Sequence, residues 1–292
     1  MQEEKLNWLC RWSPTLGELE GTAEDVWGTE KYKIGEEYLE QKCSQINEPC
    51  VFFGLYGLPD FYKLWRHRGR KCILWAGTDI IQFKNGYWLE EGGGIKISPK
   101  PLATWINKYC ESYVENKVEQ EALKEFGIES KIVPSFLGNV ADFPLSYKPG
   151  IRIQLYTSVS GDNFKLYGWD KIYNLARENP KIEFHLYGNT KPFPIPDSPE
   201  FSNIIIHGRV PKDQMNTETK EMTGALRLTE FDGFSEIIAK SLLWGQWPVS
   251  SIHYPNTLSP TQLNVFNFKL EPNYAGREWL LSVVNQYPWN QK

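Results

Sequence analysis

The sequence predicts an α/β protein with two domains, each a doubly wound parallel sheet. Two observations lead to this fold class. Short apolar segments alternate with segments of helical periodicity along both halves of the chain, which is the pattern of β-α-β units. The length of 292 residues is enough for about two ordinary domains of this kind.

The first half opens with a predicted β-α-β-α-β run. Its strands are predicted at residues 6–12, 50–56 and 71–76, and its helices at residues 30–41 and 60–67. Three consecutive glycines at 92–94 indicate a flexible loop within residues 85–101. Three elements follow this loop: a helix at 102–110, a strand at 112–115, and a helix that a capping box of Asn116 and Glu119 opens and Gly127 ends.

The second half repeats the alternation after residues 138–150, whose proline and glycine content is typical of a linker between domains. Its strands are predicted at residues 151–156, 182–187, 203–206 and 225–229, and its first two helices at residues 169–178 and 212–222. A last helix is predicted from its cap Asn273 to Tyr287.

Residues 225–251 form the segment on which the functional prediction depends. A strand at 225–229 is followed by a short loop, a helix that Ser235 caps and Gly245 ends, and a second strand after Pro248. In doubly wound sheets, ligands bind beyond the carboxyl ends of the strands, where the first turn of the next helix favours an anion. We therefore expect the backbone N–H groups of Gly233, Phe234 and Ser235 to face a phosphate.

Arg227 is unusual because it lies within an apolar strand. It shares one strand face with Thr229, whereas a buried parallel strand normally carries apolar residues on both faces. A buried arginine is costly without a negative partner. The pattern therefore predicts that Arg227 meets either a phosphate or a structural carboxylate.

Composition and charge exclude several classes of protein. With 41% hydrophobic and 23% charged residues, the chain is not intrinsically disordered. The net charge of -4 argues against a protein that holds nucleic acid by bulk electrostatics. The one dense basic run, residues 66–71, is interpreted either as a solvated helix end or as a contact for an acidic acceptor, a membrane surface or DNA.

Cysteine usage and the N-terminus predict a cytoplasmic protein. The five cysteines are odd in number and scattered without a C-x-x-C pair, as expected for reduced thiols. The first residues lack the pattern of a secretory signal, and no apolar run reaches the roughly 18 residues that a membrane span needs. We therefore expect no transmembrane segment.

Residues 151–251 resemble the C-terminal domain of nucleotide-sugar glycosyltransferases of the GT-B fold. The resemblance is to the large retaining family with an E-G-F-G-x-x-x-x-E signature, which here becomes Asp232-Gly233-Phe234-Ser235 with Lys240 in the last place. Gly245, the segment HLYGN at 185–189 and the segment HGRV at 207–210 also match that family. The first half resembles it more loosely, through LWAGTD at 74–79.

The resemblance implies two facing Rossmann-like domains and a final helix that returns to the first. The implied domains are residues 1–147 with the helix at 273–290, on the acceptor side, and residues 148–272, on the donor side. It also implies no metal and no cofactor, with UDP- or GDP-hexose as co-substrate, because positive side chains and helix-end amides neutralise the leaving diphosphate. The sequence offers neither a DxD-type carboxylate pair nor a His/Cys cluster.

The resemblance also implies roles for individual residues. Asp232 matches a glutamate that touches the transferred sugar, and Asp79 with Thr78 lies where the acceptor hydroxyl would be oriented. Gly17 lies where the first domain contacts phosphate, although a plain surface turn is the alternative. The remaining donor-side candidates are Ser158, Ser160, Lys165, Gly188, Arg209 and Thr229.

Lys240 departs from the signature, since an ammonium cannot accept hydrogen bonds from ribose hydroxyls as a glutamate does. Three interpretations stay open. The ribose contact is weaker or different, or Glu236, one turn earlier and able to pair with Lys240, takes part in donor binding instead. The plain alternative is that the two residues only form an exposed i, i+4 ion pair.

These observations predict a hexosyltransferase that moves a sugar from a nucleotide-sugar donor to a hydroxyl acceptor, with retention and without a metal. The acceptor is not predicted: a glycan, a lipid-linked hydroxyl and, as a minority hypothesis, a modified DNA base are all compatible. The alternatives are a sugar-nucleotide epimerase or phosphorylase on the same fold, and a non-catalytic relative that binds a sugar nucleotide.

Overall fold

The structure, a computed structural model, describes residues 50–88, 96–136, 139–148, 150, 152–159, 165–188, 199–263 and 271–287. The predicted strand at 6–12, the helix at 30–41, the glycines at 92–94, Gly17 and Ser160 lie outside these residues. The chain divides into two compact units. The first comprises Met1–Ser135, Phe231–Phe234 and Gln286–Lys292, and the second comprises Phe136–Glu230 and Ser235–Asn285.

The first unit contains a four-stranded sheet with parallel pairing throughout, in the order β1-β2-β5-β6. Its strands are β1 (Cys50–Phe53), β2 (Lys71–Leu74), β5 (Glu111–Val114) and β6 (Lys131–Ile132). A separate antiparallel pair is formed by β3 (Tyr87–Trp88) and β4 (Lys96–Ile97). The helices are α1 (Leu58–Arg66), α2 (Thr78–Asn85), α3 (Pro99–Tyr109) and α4 (Lys117–Lys124).

The helices of the first unit share one hydrophobic core with the sheet. Leu64 of α1, Phe83 of α2, Ile106 of α3 and Leu123 of α4 are all fully buried in it, together with Ile73 of β2. The i, i+3, i+4 spacing of apolar residues along each helix produces this arrangement, because it places them on one stripe. A smaller buried cluster, which includes Val51 and Tyr113, forms a second group of core residues.

The second unit contains a five-stranded sheet, again parallel throughout, in the order β11-β10-β7-β8-β9. Its strands are β7 (Ile153–Val159), β8 (Ile182–Gly188), β9 (Ile204–Gly208), β10 (Gly224–Arg227) and β11 (Val249–Ser250). Its helices are α5 (Trp169–Glu178), α6 (Lys212–Thr219), α7 (Glu236–Trp244) and α8 (Tyr274–Asn285). Short 3₁₀ turns lie at Val140–Asp142, Pro199–Phe201 and Pro260–Gln262.

The predicted strand-loop-helix segment of the second unit is confirmed. Strand β10 precedes α7, which is buried from Ile237 to Trp244, and Gly245 ends the helix with a left-handed φ of 81°. Ser235 occupies the N-cap position, but its side chain makes no capping hydrogen bond. The prediction was therefore right about the helix boundary and wrong about the capping hydroxyl.

The division between the units falls earlier than the predicted linker. Residues 139–148 group with the second unit, because the backbone N–H groups of Ser146 and Tyr147 both donate to the carbonyl of Trp244 at the end of α7. The boundary lies between Ser135 and Phe136.

The last helix, α8, groups with the second unit. Gly276 packs so closely on Leu242 of α7 that a Cβ there would lie 2.7 Å from its Cδ2 atom. Arg277 donates to the carbonyls of Phe143 and Leu243. Only the residues after the helix group with the first unit, where Tyr287 Oη donates to the carbonyl of Pro134 over 3.3 Å. Asn273 caps α8 as predicted, accepting the Gly276 N–H over 3.0 Å.

Across the described parts of the chain, none of the helices has the length and apolar character needed to cross a membrane.

Candidate functional site

The predicted donor-side residues of the second unit gather at one edge of its sheet. Since all five strands are parallel, their carboxyl ends lie at the same edge, which is where α/β sheets bind ligands. Ser158 lies near the end of β7, Gly188 ends β8, Arg209 follows β9 and Arg227 ends β10, with Thr229 two residues later. The topology thus brings together residues at the ends of four strands.

Arg227 is the best-defined group at this edge. Its side chain is buried, with 8% of the residue exposed. The Nη1 atom donates to the backbone carbonyl of Ser158 over 3.2 Å, and Cζ lies 4.2 Å from the ring centroid of Tyr167. A guanidinium held over an aromatic ring and hydrogen-bonded at one nitrogen keeps its planar fork of donors in place. Ser158 therefore contributes through its carbonyl, and Tyr167 is a partner that the sequence pattern did not indicate.

The two other predicted cations are on the surface. Lys165 and Arg209 both have exposed side chains. Lys165 belongs to the turn before α5, where its carbonyl accepts the Gly168 N–H over 3.1 Å. Gly168 touches Leu228 immediately after β10, which places this turn beside the end of that strand. Whether Lys165 or Arg209 contacts a donor stays a prediction.

Glu236 and Lys240 form the predicted pair on α7, with 2.8 Å between Oε1 and Nζ. The pair is not exposed, since only 9% of the Lys240 side chain and 16% of the Glu236 side chain are accessible. Lys240 Nζ also donates to Asn216 Oδ1 over 3.2 Å. The other carboxylate oxygen of Glu236, Oε2, is buried and has no hydrogen-bond partner among the described residues. This oxygen retains its capacity to accept a hydrogen bond.

The loop Phe231–Phe234 groups with the first unit, whose residues hold it at three points. The Phe234 N–H donates to Glu115 Oε2 over 2.7 Å. Asn116 Nδ2 donates to the carbonyl of Asp232, also over 2.7 Å. A Cβ atom on Gly233 would overlap the Glu115 carboxylate, so only glycine fits at that position. The loop thus contains the sugar-side candidate Asp232, and its backbone is anchored by two adjacent residues that follow β5.

Glu115 is buried among further acidic residues. Its Oε1 atom accepts hydrogen bonds from both the N–H and the hydroxyl of Ser135. Burial raises the pKa of Glu115 to about 8, and the negative charge of the nearby Asp232 raises it further. The hydrogen bonds favour the charged form and lower the pKa, without reversing the shift. Burial also raises the pKa of Glu119 well above its ordinary value, and the charges of Glu115 and Asp79 add to this shift. Glu119 Oε2 accepts the Glu115 N–H over 2.7 Å.

Asp79 is fully buried at the start of α2, where three backbone groups surround its carboxylate. The N–H groups of Leu55, Ala76 and Ile80 donate to it over 3.1, 2.9 and 3.0 Å. Burial raises the pKa of Asp79 to about 6 in spite of these bonds. The contacts give Asp79 a structural role in joining β1, β2 and α2. Its neighbour Thr78 is exposed, and a contact of either residue with an acceptor stays a prediction without support from this geometry.

The backbone conformation and packing at position 188 require glycine. Its φ is 112°, which disfavours any side chain, and a Cβ there would overlap the carbonyl of Val159 on the neighbouring strand. The close approach of β7 and β8 at this point therefore requires glycine, independently of any ligand. In the described residues, no group of three or more His, Cys, Asp or Glu side chains is arranged to hold a metal ion.

Solved structures of other proteins share this architecture, although no curated sequence matches. The sequence matches no known family profile and no curated protein sequence. The structure is similar to sucrose-phosphate synthase from Thermosynechococcus elongatus, with a TM-score of 0.56 and 11% identity, over 94% of this chain and 76% of that one. It is similarly close to α,α-trehalose-phosphate synthase (UDP-forming) from Burkholderia vietnamiensis, with a TM-score of 0.53 and 8% identity, over 96% and 78% of the two chains. The fold is that of the GT-B glycosyltransferases.

The GT-B fold confirms the fold class that the sequence predicted. Identities this low establish the fold alone. The chain is also shorter than some of the proteins it matches. It spans 52% of the S. aureus TarM chain, at 14% identity and a TM-score of 0.48, and 87% of this chain is covered in that comparison.

Proposed function

We propose that the protein is a glycosyltransferase that moves a hexose-type sugar from a nucleotide-sugar donor to a hydroxyl acceptor. The observation that carries the proposal is the buried guanidinium of Arg227 at the carboxyl edge of the second sheet, oriented by Ser158 and Tyr167. The GT-B fold supports it, since the structural neighbours include synthases of sucrose phosphate and trehalose phosphate.

The proposed role of Arg227 is to bind the donor diphosphate and to stabilise the charge that develops on it as the sugar leaves. A planar guanidinium suits this role because it donates two parallel hydrogen bonds to phosphate oxygens. Its position is set before the ligand arrives, so little reorganisation is needed when the bond breaks. We propose that this cation, with Lys165 and Arg209 at the same edge, neutralises the leaving group without a metal.

We further propose that carboxylates recognise the hydroxyl groups of the donor. Glu236 Oε2 has unused acceptor capacity, so it is the candidate for the contact that Lys240 cannot make. Asp232 lies on the loop Phe231–Phe234, where its carboxylate is the candidate for the transferred sugar. In the proposed retaining step, the bond from the sugar carbon to the phosphate oxygen breaks and the bond to the acceptor oxygen forms on the same face. The acceptor proton passes to the leaving phosphate oxygen, so the buried Asp79 is not needed as a base.

The proposal is tested by calorimetry with UDP, GDP, uridine and guanosine. Arg227→Ala is expected to weaken binding of the matching diphosphate by about tenfold or more, the worth of a charge-assisted hydrogen bond, and to leave nucleoside binding unchanged. Arg227→Lys retains the charge but loses the planar fork of donors. Its affinity for the diphosphate should lie between those of the parent and of Arg227→Ala. Arg152→Ala is the matched control, because that arginine lies at the amino end of β7 with 74% of its side chain exposed. Diphosphate affinity that is equal in the parent and in Arg227→Ala would overturn the proposal.

Turnover is tested separately with nucleotide hexoses. A thermal-shift screen selects the donor, since a ligand at a hundred times its Kd adds about 2.7 kcal/mol of stability. Product analysis with donor alone then distinguishes an epimerase or phosphorylase from a transferase, which needs an acceptor. Retention follows from the anomeric configuration of the product.

A second candidate is a non-catalytic protein that binds a sugar nucleotide. It is favoured by one observation: the Phe234 N–H, predicted to face a phosphate, is already bound by the Glu115 carboxylate. Tight donor binding with no turnover over a panel of glycan, lipid and nucleic-acid acceptors would support it.

A further inference from the structure

Helix α1 of the first unit presents two large aromatic side chains to solvent. Tyr62 is 52% exposed and Trp65 is 55% exposed. Their rings are stacked on each other, with centroids 5.9 Å apart and planes 27° apart. The guanidinium carbon of Arg66 lies 5.6 Å from the Tyr62 ring centroid. The Tyr62 ring therefore has two neighbours, Trp65 and Arg66, whereas the Trp65 ring has Tyr62 on one face.

Helix α3, which packs beside α1, carries a further exposed aromatic side chain. Tyr109 is 49% exposed, and its ring lies 5.2 Å from that of Trp105. Lys108 Nζ lies 5.0 Å from the Tyr109 centroid. The two helices are adjacent, because the rings of Phe61 in α1 and Trp105 in α3 are 5.3 Å apart in an edge-to-face contact. We name the exposed set the aromatic–basic patch and define it as Tyr62, Trp65, Arg66, Arg68, Lys108 and Tyr109.

The core does not account for these aromatic side chains. The opposite faces of the helices already supply the packing of the unit, through Leu64 of α1 and Leu102 and Ile106 of α3. Large exposed aromatic groups in a cluster are more typical of an interaction surface than of an ordinary solvated face.

The exposed charged side chains of the patch are positive. In the sequences of α1 and α3, LPDFYKLWR and PKPLATWINKY, the only acidic residue is Asp60. Asp60 is 1% exposed and its carboxylate accepts the Tyr56 N–H, so it does not neutralise the surface. Arg66, Arg68 and Lys108 are exposed, although the whole chain has a net charge of -4. The aromatic–basic patch is therefore a positive region on an acidic protein.

We propose that the aromatic–basic patch docks the protein on an anionic membrane surface. Tyrosine and tryptophan favour the boundary between lipid headgroups and acyl chains, and lysine and arginine beside them are attracted to acidic headgroups. Single-stranded nucleic acid would instead need open aromatic faces on which bases stack. Here part of the aromatic surface is already occupied, since Tyr62 contacts Trp65 and Arg66, and Tyr109 contacts Trp105 and Lys108. Attachment of this kind is peripheral and needs no spanning helix.

The experiment is flotation of the full chain with phosphatidylcholine vesicles that contain or lack phosphatidylglycerol. We expect binding to the phosphatidylglycerol vesicles at low salt, weaker binding at high salt, and none to pure phosphatidylcholine. Arg66→Gln and Lys108→Gln should each weaken binding by about fivefold, the effect of removing one cation from an anionic surface. Trp65→Ala should weaken binding without changing its salt dependence. Vesicles of brominated lipid should quench the fluorescence of the parent more than that of Trp65→Phe.

Matched controls lie elsewhere on the protein. Tyr274→Ala removes an aromatic side chain that is 48% exposed, and Lys117→Gln removes a cation whose side chain is 78% exposed. Both should bind vesicles like the parent, and thermal unfolding should show that all variants are folded. The proposal is overturned if the parent does not bind anionic vesicles at low salt, or if the control substitutions weaken binding as much as the substitutions in the patch. It is also overturned if these variants affect binding of single-stranded or duplex DNA while vesicles are not bound. None of these outcomes depends on glycosyl transfer.

Discussion

The Glu115 carboxylate accepts a hydrogen bond from the backbone N–H of Phe234, with 2.7 Å between Oε2 and nitrogen and a sequence separation of 119 positions. This N–H group belongs to the loop that the sequence predicts to face a phosphate. Asn116 and Gly77 reinforce the arrangement, the first by a hydrogen bond to the Asp232 carbonyl and the second by close packing against the Gly233 nitrogen. A buried carboxyl group thus takes the place of an external anion on one of these amides.

Glu115→Gln is expected to destabilise the first unit by about 1–3 kcal/mol, the cost of a buried polar group without a partner. The carboxylate accepts N–H groups on both oxygens, from Ser135 and from Phe234. An amide has one oxygen, so its NH₂ group must face one of these donors. Urea unfolding at a pH above the Glu115 pKa of about 8, where the group is a carboxylate, measures the loss, and amide exchange at Phe234 should become faster.

Glu121→Gln is the control for this substitution, because Glu121 is on the exposed side of α4 with 67% of its side chain accessible. Its effect should stay within about 0.5 kcal/mol. If Glu115→Gln is as stable as the parent and Phe234 exchange is unchanged, the anchoring role assigned to Glu115 is wrong.

The first unit is expected to lose stability as the pH rises from about 4 to 8. Burial raises the pKa of Asp79 to about 6 and that of Glu115 to about 8. In the unfolded chain, these groups titrate near about 4. The folded state therefore binds more protons across this interval, and linkage makes unfolding easier at the higher pH. Amide exchange of Ala76 and Phe234, followed at several pH values and corrected for intrinsic rates, measures the trend.

The control for the pH trend is Glu115→Gln, which should reduce the slope above about pH 6 and leave the contributions of Asp79 and of Glu119, whose pKa burial also raises. A parent protein whose first unit grows more stable between pH 5 and 8 would contradict the assignment.

The second unit should show the opposite dependence, because of a histidine pair. His185 Nδ1 and His207 Nε2 are 2.9 Å apart, and the rings are stacked. Burial lowers the pKa of both side chains, and the charge of His207 lowers that of His185 further. Glu183 and Glu218, which flank the pair, oppose the shift without reversing it. The folded state binds fewer protons than the unfolded one, so stability is present above the unfolded pKa of about 6.5 and is lost as the pH falls below it.

NMR titration of the two imidazoles tests this prediction directly. Both should titrate below the ordinary range, and His207→Gln should raise the pKa of His185 by removing a neighbouring charge. Imidazoles that titrate at or above the ordinary value would contradict the expected loss of stability in acid.

Gly188→Ala is expected to cost about 2 kcal/mol or more, since it combines a disfavoured backbone conformation with an overlap against the Val159 carbonyl. Gly208→Ala is the matched control. Its φ of 70° is also positive, but a Cβ there meets nothing within 4 Å, so it should cost only about 1 kcal/mol. Thermal unfolding compares the two. Equal losses of stability in the two variants would show that the close approach of β7 and β8 does not add to the cost of Gly188→Ala.

The local features of the fold were predictable because they depend on neighbouring residues. The alternation of apolar strands and amphipathic helices predicted both parallel sheets. The caps of α4 and α8, at Asn116 and Asn273, followed from residues within one turn of the chain. The position of Arg227 within an apolar strand predicted its burial, and the order of the strands made the gathering of donor-side candidates at one edge foreseeable.

The partners of those residues were not predictable, because they come from distant parts of the chain. Nothing in the segment containing Asp232 and Phe234 indicates that Glu115 and Asn116 hold it. Of the interpretations open for Glu236 and Lys240, the exposed pair is wrong, because Asn216 and Phe143 contact the lysine and only 9% of its side chain is accessible.

The sequence by itself determined the type of each element, the helix boundaries at Ser235 and Gly245, and the α/β class, because these follow from periodicity and from residues a few positions apart. The tertiary structure alone decided which carboxyl groups are buried, where α8 packs, and which group binds the Phe234 N–H. Those outcomes depend on desolvation and on hydrogen bonds between residues about a hundred positions apart, and such distances carry no local pattern.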